Sequence, residues 1–329
     1  MKTIARLFFG AAAAALLATG VAGAQDKPLK FGYINKMGDH PWFVSEVGGA
    51  KAKAEELGAD LLVQDVQFDS NLAITAFDTM VGDGVAGIAI VVPEQSLGPR
   101  VAEKAKEAGI PLIAVDDDIY YQDGTPVPYV GLDAYSIGRK VGEEIARIYR
   151  EEGWDKSGHE VRVASIEDKK AETCMKRNQG AEDAFREAVP DFPAENIIHV
   201  PYDNPMESAI TNMTTTLTAY PQVTHWMFWS CNDDGVLGGV RAMENSGMGA
   251  DQAIGVGIDG SRSCGLFGQG QESGFRGTMW LNSALHGQLA IQLLHDAVAN
   301  GKPLPEKTYS DPILVNEETF PQYKEMLGC

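Results

Sequence analysis

From Leu29 onward the chain repeats one pattern: a short apolar run, a polar break, then a longer segment with apolar residues three or four apart. LKFGYIN (29–35) reads as a strand. PWFVSEVGGAKAKAEELG (41–58) reads as a helix opening on proline, a favoured first-turn residue, with Phe43, Val47, Ala50, Ala54 and Leu57 on one face. DLLVQDV, VAGIAIVV (85–92) and IPLIAVDD follow as strands, separated by the helices NLAITAFDTMVGDG and GPRVAEKAKEAG, each closed by glycine. Such a β-α-β-α-β-α-β order admits few folds, because helical crossovers between strands imply a parallel sheet covered by helices.

The rhythm then restarts. SIGRKVGEEIARIYREEG carries Ile137, Val141, Ile145 and Ile148 on one stripe, and EVRVASIE, NIIHVPY, THWMFWS and AIGVGID alternate as strands with three more helices. A second α/β unit therefore covers roughly 134–277. GTMWLNSALHGQLAIQLLHDAVANG adds a strand and a long helix that should rejoin the first lobe, and PILVNEETF a last strand returning to the second. The expected division is residues 25–132 with 279–309, and 133–278 with 310–329. Short segments crossing between two such lobes would form a hinge beside a cleft.

Residues 1–24 read as a secretory leader: Lys2 and Arg6, an apolar run, then Ala22-Gly23-Ala24 before Gln25. The remainder is long enough for two domains. Net charge is −19 and becomes more negative once Lys2 and Arg6 leave, which argues against nucleic acid or an anionic membrane surface as partner. The four cysteines, Cys174, Cys231, Cys264 and Cys329, have no C-x-x-C spacing, so neither zinc nor a redox motif is expected. An exported protein permits disulfides; Cys264–Cys329 is the favoured bridge, with four free thiols the alternative.

In open α/β sheets, ligands bind beyond the carboxyl ends of the strands. Here those ends read NKMGDHPWF, DDD, EDKKAETCMKR, CNDD and DG. They supply Lys36, Trp42, Phe43, Asp116, Asp117, Arg177, Asn232 and Asp259, with His40 and Cys231 beside them. Taken singly, each has a plain structural role as a helix cap, turn, solvated charge or core aromatic. Their recurrence at strand ends favours a shared cleft. Carboxylates accept hydrogen bonds, Lys and Arg donate, Asn does both, and aromatic rings offer flat apolar faces. A monosaccharide needs that mixture. The chain has no G-x-S-x-G elbow, P-loop, H-E-x-x-H or G-x-G-x-x-G after a strand, so no cofactor is expected. No metal is expected either, since an extended DDD sends its middle side chain to the opposite face.

LKFGYINK…PWF, IAVDD, VPYVGLDAYSIGRKVGEE, HWMFWSCNDDGVLGGVRA and IGVGIDG resemble the periplasmic sugar-binding proteins of ABC importers, the arabinose-binding members above all. The resemblance covers essentially the whole mature chain. It implies two Rossmann-like lobes joined by a three-strand hinge, the periplasmic binding protein type I architecture. It makes Lys36 and the Trp42-Phe43 pair first-lobe contacts, Asp116 and Asp117 acceptors for sugar hydroxyls, and Arg177 and Asn232 second-lobe contacts. Asp259 stands where arabinose binders have asparagine, His40 where they have glutamate, and Leu132 and Cys231 where they have methionine. Asp118 has no counterpart and is expected in hinge or loop. The implied protein is a monomeric, periplasmic, non-enzymatic carrier that delivers a pentose or galactose-type hexose to a membrane permease and its ATPase. A chemoreceptor-coupled version and an exported glycoside hydrolase are the alternatives.

Overall fold

The computed structural model of the protein describes residues 28–203, 205–270 and 272–329; the expected leader lies outside the described residues. The first run of elements is β1 (Lys30–Asn35), α1 (Pro41–Glu56), β2 (Asp60–Asp65), α2 (Ser70–Gly82), β3 (Gly87–Ile90), α3 (Gly98–Ala108), β4 (Leu112–Val115) and β5 (Tyr129–Gly131). The second is α4 (Ala134–Glu151), β6 (Val161–Glu167), α5 (Glu172–Ala188), β7 (Ile197–Pro201), α6 (Met206–Ala219), β8 (His225–Ser230), α7 (Asp233–Asn245), β9 (Ala253–Asp259), α8 (Ser263–Leu266) and β10 (Phe275–Trp280). Then come α9 (Ser283–Asn300), β11 (Lys307–Tyr309), β12 (Ile313–Val315) and α10 (Phe320–Tyr323).

These strands form two six-stranded sheets, ordered β11-β5-β4-β3-β1-β2 and β12-β10-β9-β8-β6-β7. Every strand pair among the described residues is parallel except β10 with β12. Helices cover both faces of each sheet, so successive strand residues feed different cores. In β8, Trp226 and Phe228 enter one core while Met227 and Trp229 enter the other. In β4, Ile113 and Val115 face one side, Leu112 and Ala114 the other. Each such large side chain contributes roughly 1.5–3 kcal/mol on full burial, which is why these strands carry no alternating polar residue.

The backbone passes between the sheets after β5, after β10 and after β11. GTMW differs from expectation. It completes β10 in the second sheet, where Thr278, Met279 and Trp280 pair with Gly257, Ile258 and Asp259. The crossing falls after Trp280 rather than ahead of Met279, because Met279 is buried in the second sheet's core. Only then does α9 pack on α1, β3 and β4.

Two close helix contacts set the positions of polar groups discussed below. Gly287 in α9 lies against the Glu46 carbonyl of α1, and Gly138 in α4 against the Arg177 carbonyl of α5. A Cβ at either glycine would collide with that backbone oxygen. The helices carrying His286 and Arg177 can approach their neighbours this closely only because no side chain intervenes.

Candidate functional site

The first wall begins where β4 ends. Asp116 turns the chain with φ of +62°, a left-handed conformation that aspartate tolerates better than most residues. The turn aims its carboxylate back into the lobe. Trp42 Nε1 donates to Oδ2 at 2.5 Å and His286 Nδ1 lies 2.6 Å from Oδ1. His286 Nε2 is in turn 2.7 Å from Ser310 Oγ. Tyr129 OH donates to the Asp116 carbonyl at 3.0 Å. Burial works against the Asp116 anion, but the bond and charge of His286, with the bond from Trp42, outweigh it, and its pKa falls below the ordinary carboxylate value.

Glu46, on α1, is completely buried beneath Asp116. Tyr33 OH donates to its Oε1 at 2.5 Å, and Oε2 meets no donor among the described residues. Burial first, then the charge of Asp116, pushes the Glu46 carboxyl well above its usual range. Asp117, next along, has a different partner. Lys36 Nζ donates to its Oδ2 at 2.5 Å, and the Asp117 side chain keeps about a third of its surface open (34%). Lys36 sits 5.3 Å above the Phe43 ring, a cation–π arrangement.

The second wall is built on α5 and the β8–α7 junction. Arg177 Nη1 donates to the Cys231 carbonyl at 2.7 Å, while its buried Nε has no acceptor among the described residues. Burial lowers the Arg177 pKa, and the charge of Asp259 opposes that fall. Cys231 is disulfide-bonded to Cys174 in the first turn of α5. Asn232 caps α7: its Oδ1 accepts from Gly235 N at 2.9 Å and from Tyr202 OH at 3.0 Å. Asp259 ends β9 with φ of +105° and accepts from Ser261 N at 2.7 Å. Beneath it lies buried Asp233, which accepts from Thr278 Oγ1 at 2.6 Å. Burial and then the Asp259 charge raise the Asp233 pKa well above normal.

Between the walls lies a pocket of about 360 Å³, lined by Trp42, Asp116, Leu132, Arg177 and Tyr309 among others. Its size is at the small end of ligand sites, roughly 300–1,000 Å³. Two larger cavities, about 520 and 870 Å³, involve neither Asp116 nor Arg177. Trp42 packs against the cores of both lobes.

Several expected contacts therefore take other positions. Asp116 lines the pocket, but both its carboxylate oxygens are engaged by protein donors; Asp117, paired with Lys36, does not line it, nor do Lys36, Asn232 and Asp259. Phe43 is buried in the first lobe's core and lines the 870 Å³ cavity rather than the one between the walls. His40 is an exposed helix cap whose Nδ1 accepts from Trp42 N at 3.2 Å. Cys231 offers only its carbonyl, since its sulfur is in a disulfide. Cys264 does pair with Cys329, but Cys174–Cys231 forms as well, so the four-thiol alternative fails. Asp118, expected in hinge or loop, accepts from Gln95 at 2.7 Å and from Tyr120 at 2.7 Å and also lines the pocket, which Asp117 does not.

Sequence reasoning missed Glu46, His286 and Asp233. A signal existed: each is a titratable residue in phase with the apolar stripe of its helix. Glu46, Asp116 and His286 offer ligand atoms within 4.8 Å of one another. A metal would have to displace the bonds that already occupy both His286 nitrogens, so this set reads better as a hydrogen-bond relay.

Two parallel sheets that present charged walls at their strand ends, with a pocket between and three crossing segments, define a two-lobed ligand-binding protein. Residues 31–303 match the periplasmic binding protein domain family, and the chain belongs to it. It is 31% identical over 324 residues to the L-arabinose-binding periplasmic protein of Escherichia coli strain K12, covering 95% of this chain and 97% of that one. Identity is 30% over 336 residues to the ABC transporter L-arabinose-binding periplasmic protein of Azospirillum brasilense, covering 99% of each. The crystal structure of a periplasmic ribose ABC transporter protein from Conexibacter woesei shares the fold, with a TM-score of 0.71 at 22% identity over 91% of this chain and 95% of that one. Among the described residues no helix is long and apolar enough to cross a membrane.

Proposed function

We propose that this protein captures a monosaccharide in the periplasm and delivers it to the permease of an ABC importer. A pentose such as L-arabinose or a galactose-type hexose is the first choice of ligand. The observation that carries this reading is Arg177. A buried guanidinium lines the pocket opposite Trp42 and Asp116, with one nitrogen anchored on Cys231 and Nε left without an acceptor. A guanidinium that spends one nitrogen on the protein and lines a pocket keeps donors for a ligand oxygen.

A sugar hydroxyl accepts and donates at once, which suits a wall of donors facing a wall of acceptors. Arg177 and Lys36 donate; Asp117 and Asp259 accept; the Asn232 oxygen is already taken by Gly235 N and Tyr202 OH. The Trp42 ring offers a face for the sugar's C–H surface. Closing the lobes removes water and strengthens each charge-assisted bond. Leu132 lines the pocket and limits room for a substituent on the sugar ring. Asp116 acts at one remove, by fixing Trp42. Ser310, His286 and Asp116 are hydrogen-bonded in series, but Ser310 and His286 are buried and line no part of this pocket, and the reading is of a carrier rather than an enzyme.

A thermal-shift screen over pentoses, hexoses and polyols tests this. A ligand at 100 times its Kd should add about 2.7 kcal/mol of stability by mass action. A flat response to all of them would remove the sugar reading.

A further inference from the structure

Glu46 is fully buried, yet only one of its two oxygens has a partner. Tyr33 supplies a proton to Oε1. A Glu46 carboxylate oxygen lies within 4.8 Å of one of Asp116, whose own two oxygens already accept from Trp42 and His286. Two carboxylates this close, one fully buried and the other largely so, would repel if both were ionised. The titratable groups around Glu46 are Tyr33 and Lys36 from β1 and its following loop, Asp116 after β4, and His286 from α9. Lys36 is committed to Asp117, and both His286 nitrogens are committed to Asp116 and Ser310. Among the described residues, the cation acting on Glu46 is Lys36 itself, whose charge counts for less than burial and the charge of Asp116.

We infer that Glu46 is a neutral carboxylic acid in the folded protein, donating its Oε2 proton to Asp116 as a positioning residue for the binding wall. The relay then runs from Tyr33 to Glu46 to Asp116, with His286 and Trp42 donating to the same carboxylate. A proton on Oε2 satisfies the orphan atom and gives Asp116 a third donor. Its consequence for binding is geometric. Asp116 holds the Trp42 indole by its N–H, and Asp117 hangs from the same left-handed turn. The direction in which burial and the Asp116 charge move the Glu46 pKa agrees.

The binding part of this inference rests on the sugar-capture reading; the protonation part does not. Glu46→Gln keeps a donor toward Asp116 and an acceptor for Tyr33, whereas Glu46→Leu removes both. In infrared difference spectra at pH 7, wild type minus Glu46→Gln should show the C=O stretch of a protonated carboxyl. A carboxylate band in its place overturns the inference. A group neutral when folded and ionised when unfolded loses stability as pH rises from about 4.3, its ordinary value, up to its folded pKa. The folding constant of wild type relative to Glu46→Gln should therefore fall about tenfold per pH unit above that point. A pH-independent ratio between pH 5 and 7 overturns the inference. Sugar affinity should stay within about threefold in Glu46→Gln and fall at least tenfold in Glu46→Leu, as for loss of a bond to a charged group. Equal affinity in wild type and Glu46→Leu would remove the positioning role while leaving the protonation result standing on its own. A divalent cation that stabilises wild type but not Glu46→Gln would assign the orphan oxygen to a metal instead.

Discussion

The two walls do the same job with different chemistry. In the first lobe a chain of hydrogen bonds among Tyr33, Glu46, Asp116, His286 and Trp42 sets the polar groups. In the second a covalent bond, Cys174–Cys231, ties the start of α5 to the β8–α7 junction, and so ties Arg177 to the neighbourhood of Asn232. Their geometry is otherwise parallel. Asp116 follows β4 and Asp259 ends β9, each the third strand of its sheet. Both have positive φ and both sit above a buried acid whose pKa is raised. The fold thus dictates where a polar group must appear, and leaves open how it is held. One wall should respond to pH, the other to reductant.

The largest effect should come from the staple. Replacing Cys174 and Cys231 by serine opens a loop closed across a sequence separation of 57 residues. On the chain-entropy account that costs about 4 kcal/mol of stability. Sugar affinity should fall as well, because Arg177 loses its tether. Replacing Cys264 and Cys329, separated by 65 residues, should cost a similar stability and leave affinity unchanged. Denaturant melts with calorimetry on both double variants make the comparison, and equal affinities in the two would break it. Arg177→Ala should follow, weakening binding by about 3 kcal/mol, roughly a hundredfold, while circular dichroism stays unchanged. Unaltered affinity there would remove Arg177 from the site.

Acid titration sharpens the first wall. Asp116 has a lowered pKa, so its contribution to stability is present above the ordinary carboxylate value and is lost as pH falls through the folded one. Asp116→Asn should flatten that acid limb in melts taken from pH 5 downward. Glu46 works in the opposite direction, so wild type should be most stable between the two transitions. A wild-type limb identical to that of Asp116→Asn would contradict the relay.

Smaller effects follow from pocket shape. Leu132→Met should alter the ratio of pentose to hexose affinity by about tenfold, the usual scale for one methylene group or so. Phe43→Leu should move affinity by less than about threefold. It repacks a core rather than a contact, at a stability cost under about 1.5 kcal/mol.

These ranks show what was legible in the chain. Strand runs such as VAGIAIVV and HWMFWS have no other stable use than burial on both faces, so the two sheets and the site-bearing strand ends could be read directly. The roles of neighbours could not. The three aspartates look equivalent in DDD, yet after one left-handed residue Asp116 pairs with His286, Asp117 with Lys36 and Asp118 with Gln95 and Tyr120. Phe43 and Trp42 are adjacent on a helix start, and only packing decides which ring reaches the pocket. GTMW lies next to α9 in sequence, but its side chains fit the second core. Glu46 and His286 are 240 positions apart and meet only because α1 and α9 cross at Gly287. The phase of a charged residue on an apolar stripe was the available clue.

The central claim is stoichiometric capture of a sugar between these walls. Isothermal calorimetry of the wild-type protein with L-arabinose, D-galactose, D-ribose and polyols, paired with chromatography of the recovered sugar, tests it directly. One ligand should bind per chain and be returned unaltered, for at least one member of the set, and that heat should be lost in Arg177→Ala. No heat from any sugar, or a sugar recovered chemically changed, would contradict it.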